Sequence, residues 1–549
     1  MCRLGYAEGV AFPAKGIHMG NAEAMPATAE RVELRRDVTI WGSYTWGYAD
    51  VGADIYVALG LVIGAAQGGA PLAFALAGLV YIMIGLAFTE LASSYPVAGG
   101  GQYYSLRGLG DFFGFLSGAA LLLDYTIDIA LFATASTGYL NFFLPYLGVH
   151  LEQFAVSWGP FRDLNLLWLG ETVAMIGFLL GLNLRGIRES SMVNEVIGLV
   201  DLLLEMSVVV FGFVLAWKPE LLVRQFTTEF PSLQRFMYGF SLAIISFVGL
   251  ESISQAAQET RRPATVIPRT SIALIFTVFI LALGFSTVSL GILPWQEFAA
   301  HQADPVAHLA SHIPYLGVLA GPFAAFLGAT ILFISANTGI MGDSRLIFSM
   351  SHFKLVSPWF SHVHPRFRTP SNAIVGFGWV GIALTVVAFL TPSVLDTLAN
   401  LYAFGATFGY TLVFISLIRL RFADPYSPRP YKVPGNVRWK RKDGTVVEVP
   451  VLGFVGMLGV ASIFVTVLIT HDIGRIAGPA WLLLGVAYYA YFRHRSGLPV
   501  LGSVSHDWEQ EQVEVLTRAE EFELLEQYKQ ALIRRDRLAG VRSRWEEGV

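Results

Sequence analysis

An apolar stretch of about 20 residues is long enough to span a bilayer. This chain holds twelve such stretches: 42–66, 71–94, 111–143, 164–184, 191–217, 236–258, 270–293, 320–343, 371–391, 394–418, 450–469 and 476–492. No other feature narrows the possible folds as much. In hydrocarbon every backbone polar group must be satisfied within the chain, so the spanning form is the helix. The expected fold is an all-α polytopic membrane protein. Its membrane domain covers 39–495, between polar tails at 1–38 and 496–549. Composition agrees, with 14% charged residues against about 25% in soluble proteins. Cys2 is the sole cysteine, which excludes an internal disulfide and a Cys/His metal cluster. No cofactor, resident metal or nucleic-acid partner is expected. The partners are the bilayer, a small solute and protons.

Basic residues mark the connections that stay in the cytoplasm. The even-numbered ones carry Arg107; Arg185 and Arg188; Arg261 and Arg262; Lys354, Arg366 and Arg368; Arg419, Arg421, Arg429 and Lys432. Arg31, Arg35 and Arg36 precede the first span, and Arg493 and Arg495 follow the last. Connections 295–319 and 392–394 hold no Lys or Arg. The expectation is a plasma-membrane protein with both termini cytoplasmic. The loop 422–449 contains "RKDGTVVEV", which predicts a hairpin around Asp443-Gly444. Val513, Leu516, Leu524, Leu525, Tyr528 and Leu532 predict an amphipathic helix over 507–538, either solvated or docked.

Acids recur inside the spans. Asp50 and Asp54 lie on span 1, Asp124 and Asp128 on span 3, Asp201 and Glu205 on span 5, and Glu251 on span 6. Each pair is spaced i,i+4, hence on one helix face. An ionised acid at mid-membrane costs about 2.5–3.5 kcal/mol. Six or seven together approach or exceed the ~5–15 kcal/mol by which a protein folds. No Lys, Arg or His sits well inside a span to balance them. They must face a wet interior, hold protons or receive a cation. Acids one turn apart also disfavour each other's ionised form, which suits proton carriage. For Glu205 and Asp128 the alternative is a hydrated helix end.

Two spans carry helix-breaking signals beside an acid: Gly52-Ala53 before Asp54, and Gly249 before Glu251. They are five spans apart and so run in opposite directions. That matches an inverted five-helix repeat with a midplane site between discontinuous helices. Packing glycines are the alternative. There is no G-x-x-x-x-G-K loop and no site outside the membrane, so neither an enzyme nor ATP-driven transport is expected. A carrier is favoured over a channel, and a transporter-like sensor stays open. His301, His308 and His312 are read as solvated loop residues, with pH sensing or metal binding as the alternative.

Several segments together resemble the amino acid–polyamine–organocation permeases. They are "TELASSYPVAGGGQYYSLRGLG" (89–110), "FVGLESISQAAQETRRPATVIPR" (247–269) with Glu259, Pro263 and Pro268, "SANTGIMGDSRLIFSMSH" leading to "TPSNAI", and "RPYKVPG" (429–435). The likeness runs over about residues 40–440. It implies a leucine-transporter-like 5+5 core, with repeats at about 39–217 and 236–421, two extra helices at about 450–492, and alternating access. It also implies proton-coupled or exchange transport of an amino acid or related organic cation. Substrate would sit at Gly52, Ala53 and Asp54 and at Phe247, Val248 and Gly249. Asp50, Tyr56, Asp124, Tyr125, Asp128 and Glu251 would complete the lining. Two departures stand out. Asp54 replaces a neutral break residue, and Asp201 stands where many members carry a lysine. Asp201, with Ser335 and Thr338, is the expected coupling site. The stretches "YADVG" and "LLLDYTID" also resemble a subgroup that moves potassium with protons, for which the same oxygens would serve as ligands.

Overall fold

A computed structural model describes residues 39–97, 99–158, 161–186, 191–255, 257, 260–441 and 445–546. The tail 1–38, Arg188, Glu259 and the Asp443-Gly444 turn lie outside the described residues. Ten helical segments are long and apolar enough to cross a membrane. The first, Ile40–Ser94, contains the first two expected spans. It is built from α1 (Ile40–Val51), α2 (Asp54–Ala66) and α3 (Ala70–Ser94). A short α4 (Gly101–Leu109) then leads into α5 (Asp111–Asn141), which is buried along nearly its whole length. A hairpin of β1 (Ala155–Trp158) and β2 (Phe161–Asn165) connects α5 to α6 (Leu166–Arg185). After α7 (Ser191–Phe211) the chain makes one π turn at Gly212–Ala216 and a surface helix, α8 (Pro219–Thr228).

The sixth expected span is in pieces: α9 (Leu233–Leu242), a 3₁₀ turn at Ala243–Phe247, and α10 (Glu251–Gln255). There follow α11 (Pro263–Ile292), two short helices α12 (Trp295–Ala300) and α13 (Pro305–Ser311), and α14 (Gly317–His352). Next come α15 (Ser371–Phe389) and α16 (Val394–Ala423). The expected hairpin is present as β3 (Asn436–Lys440) paired antiparallel with β4 (Val446–Pro450). It precedes α17 (Val451–Thr470) and α18 (Gly474–Arg495). α18, the twelfth expected span, is a 22-residue helix but falls outside the ten apolar segments; Trp481, Tyr488, Tyr489 and Tyr491 dilute its apolar run.

Large apolar side chains are exposed on the rim, among them Leu203, Val210, Ile280, Leu483 and Leu484, while acids are buried inside. That inversion of the soluble pattern is what a hydrocarbon solvent demands. α5 packs against α14 and α16 at the centre of the bundle. The C-terminal tail forms two helices, α19 (Trp508–Arg518) and α20 (Phe522–Leu538), where one was expected. The chain turns between them at Glu520, whose φ is +56°, a left-handed conformation that ends a helix.

Ion pairs fasten the end of the bundle where the tail docks. Arg421 holds Glu90 through two hydrogen bonds, Nε to Oε1 and Nη2 to Oε2 at 2.6 Å. Arg493 pairs with Asp111 at 2.8 Å, both fully buried. Arg107 donates to Asp424 at 2.7 Å and to Gln512 of α19 at 2.9 Å, and lies over the Tyr95 ring. Burial works to raise the Asp424 carboxyl, but the Arg107 and Arg429 guanidiniums prevail and hold it below the usual carboxylate range.

Candidate functional site

The two interruptions meet at the centre of the bundle, and they differ in kind. Between α1 and α2 the backbone stays right-handed helical, with Gly52 at φ −65°, ψ −35° and Ala53 at φ −61°, ψ −27°. The hydrogen-bond ladder slips there, and Tyr56 N donates to Ala53 O, an i to i+3 bond of 3.1 Å. The expected break is thus a hitch rather than an unwound segment. Glycine is required because a Cβ on Gly52 would lie 2.6 Å from Tyr48 O. Between α9 and α10 the chain is truly extended. Val248 has φ −82°, ψ 159°, and Gly249 has φ +103°. A Cβ on Gly249 would lie 3.0 Å from Asp50 Oδ2, so the bare backbone approaches that carboxyl group.

Both half-helices that restart after an interruption begin on an acid, Asp54 for α2 and Glu251 for α10. Helix N-termini favour negative charge. Glu251 Oε2 occupies that position directly, accepting from Gly249 N at 3.2 Å and from the Tyr410 hydroxyl at 2.8 Å. At α10 the place where a discontinuous helix ordinarily receives an anion is therefore taken by the chain's own carboxyl group.

Asp50, Asp54, Asp124, Asp128 and Glu251 are all at most 4% exposed. Asp50 Oδ1 accepts from Thr338 at 2.7 Å and from Ser335 at 3.4 Å. Neither oxygen of Asp54 nor of Asp124 has a hydrogen-bond partner, and Asp128 Oδ1 and Glu251 Oε1 also lack one. No described ion pair involves any of the five. Tyr125 faces the same region, its hydroxyl accepting from Gln255 Nε2 at 3.2 Å. Phe247 stacks on Tyr81 with ring centroids 4.9 Å apart, and Val248 is buried beside it.

The three expected coupling residues divide into two places. Ser335 and Thr338 sit on α14 against the last turn of α1, where Ser335 also reaches the Ala49 and Asp50 carbonyls at 3.4 Å. Asp201 on α7 takes its hydrogen bond from Tyr56 at 2.6 Å, with Oδ2 unpartnered. Glu205, one turn on, takes one from Tyr48 at 2.6 Å and is buried rather than hydrated.

Sequence reading missed several neighbours. Asp343 is a further buried acid, accepting from Thr126 at 3.1 Å. The Arg345 guanidinium lies 5.4 Å from the Trp46 ring centroid, and it lines a small cavity together with Asp50, Tyr125 and Thr338. A second cavity lies beside Gly52 and Glu205. Each is about 10 Å³, room for about one water. A larger guest would need the surrounding helices to move apart.

A family model described as amino acid permease matches residues 42–490. The branched-chain amino acid permease BcaP of Bacillus subtilis (strain 168) is 28% identical over 506 residues, 89% of this chain and 99% of that protein. The methylthioribose transporter of the same strain is 26% identical over 424 residues, 75% of this chain and 87% of that protein. Cationic amino acid transporter 4 of Mus musculus is 26% identical over 398 residues, 69% of this chain and 59% of that protein.

Proposed function

The chain belongs to the amino acid permease family, and on that premise we propose a proton-coupled secondary transporter for an amino acid or related organic cation, working by alternating access. It would act in the plasma membrane with both termini cytoplasmic. Its inverted repeats would cover about 39–217 and 236–421, with α17 and α18 as the two extra helices.

One observation carries the reading: five buried acids from α1, α2, α5 and α10 converge where the helices are interrupted, and no described ion pair balances them. Such a pocket attracts positive charge and repels a bare anion. A substrate amine or guanidinium would sit among Asp50, Asp54, Asp124 and Asp128, against the backbone at Gly52, Ala53 and Gly249. Similarity to a cationic amino acid transporter supports the same class of guest.

Protons would also reduce the charge of the empty pocket, because neighbouring carboxyl groups disfavour each other's ionised form. The coupling proton is assigned to Asp201, because Tyr56 ties it to α2, the half-helix that also carries Asp54. Ser335 and Thr338 would hold Asp50 in place from α14.

The test is uptake by the purified protein in proteoliposomes under an imposed pH gradient, comparing labelled arginine, leucine and rubidium. Accumulation of arginine driven by the gradient supports the proposal. Rubidium accumulation without amino acid uptake would replace it with a potassium carrier. Absence of flux for any of them would leave a sensor.

A further inference from the structure

The connection from α11 to α14 folds over one end of α2. A Cβ on Gly60 would lie 3.1 Å from Gln302 and 3.2 Å from Pro305, so α2 and this connection touch nearly backbone to backbone. Val306 N donates to the Tyr139 hydroxyl at 3.2 Å, and that hydroxyl donates to Tyr56 O at 2.9 Å.

Three donor side chains converge on the same connection. Glu297 and His301 are one turn apart, with His301 N donating to Glu297 O at 3.0 Å, so both project from one face of α12 and its C-terminal end. His308 reaches them from α13. Its Nε2 is buried, makes no hydrogen bond, and lies 3.4 Å from Glu297 Oε2. The His301 and His308 rings are stacked, 3.8 Å apart and nearly parallel, so one imidazole must rotate before both in-plane lone pairs can meet one ion. One donor atom from each of the three residues lies within 4.8 Å of the others.

We propose that Glu297, His301 and His308 form a binding site for a divalent transition-metal cation of the zinc class. Two imidazoles and one carboxylate suit a borderline-soft cation and leave a fourth position for water. Calcium and magnesium would want a shell of oxygens instead. Bonds of about 2.0–2.1 Å to a tetrahedral ion set donors about 3.4 Å apart. The side chain of Glu297 is 47% exposed and free to swing inward by that difference. Asp304 Oδ1 lies 3.4 Å from His301 Nδ1, placed like the carboxylates that orient a ligating imidazole. A bound ion would tie α12 to α13 and so fix the cover over α2.

The site is tested by titrating the full-length protein in detergent with Co²⁺ and reading its visible ligand-field absorption. The expected result is a saturable spectrum that Zn²⁺ abolishes. The spectrum should be lost in His301→Ala and His308→Ala, and weakened in Glu297→Gln, whose exposed side chain leaves the fold intact. Zn²⁺ should also raise the thermal midpoint of the wild type and not that of the two histidine variants. A wild type without the spectrum, or a spectrum retained in all three variants, overturns the site whether or not the protein transports amino acids.

Discussion

The Thr338 hydroxyl donates a 2.7 Å hydrogen bond to Asp50 Oδ1, joining α14 to the last turn of α1 at the point where the first span slips. A hydrogen bond to a charged group contributes about 1.5–3 kcal/mol. If Thr338 positions Asp50 for substrate, Thr338→Val should lower kcat/KM for uptake by about tenfold or more. Thr338→Ser keeps the donor and should stay close to wild type. Equal uptake by both variants would remove this bond from the mechanism.

Gly249 is held at φ +103° with its α-carbon turned toward the Asp50 carboxyl group. Alanine there is strained by about 1–3 kcal/mol, and its methyl would enter the space beside Oδ2. Gly249→Ala should abolish uptake while only modestly lowering the thermal midpoint. A fully active Gly249→Ala would show that the close approach has no functional weight.

Arg421 and Glu90 form a buried pair, 3% and 1% exposed. Removing one partner of such a pair costs about 3–5 kcal/mol, because the other is left charged and buried. Arg421→Gln and Glu90→Gln should each lower the unfolding midpoint strongly. The double variant should lose less than the sum of the two single losses, although Arg429, 3.4 Å from Glu90, then loses its partner there as well. Additive losses would argue against direct coupling.

The docked tail has a pH signature at Asp424. Its carboxyl is depressed in the folded protein, so its contribution is present above the unfolded-state value of about 3.9 and fades as pH falls through the lower folded value. Protease protection of α19 and α20 should therefore be constant from about pH 8 to about pH 5 and weaken only below about pH 4. Gln512→Ala removes a bond from Arg107 and one to Ser94 O, and should increase cleavage across that whole range.

The spans were legible because each must carry about 20 apolar residues whatever its neighbours. Their ends were less so. The eighth stretch reads as ending at 343, yet α14 runs on to His352, with Asp343 accepting from Thr126 through one oxygen and Arg345 lying over the Trp46 ring. A hydropathy reading stops at charges that the fold has already accommodated. The acid pairs were readable from spacing alone. Their partners were not, since Tyr48, Tyr56 and Tyr410 come from distant segments. The slip at Gly52 read as a full break because glycine signals the close packing of Tyr48 and an unwound turn with the same letter. The bend at Glu520 carried neither glycine nor proline to announce it.

The central claim is that buried carboxyl groups surround a pocket whose charge is balanced by protons and a positively charged guest. Proton entry into proteoliposomes, followed with an internal pH dye while arginine is added outside, tests it most directly. The account predicts arginine-dependent acidification with the wild type, and arginine exchange without acidification in Asp201→Asn. Arginine uptake by the wild type with no proton movement, or an unchanged proton signal in Asp201→Asn, would contradict it.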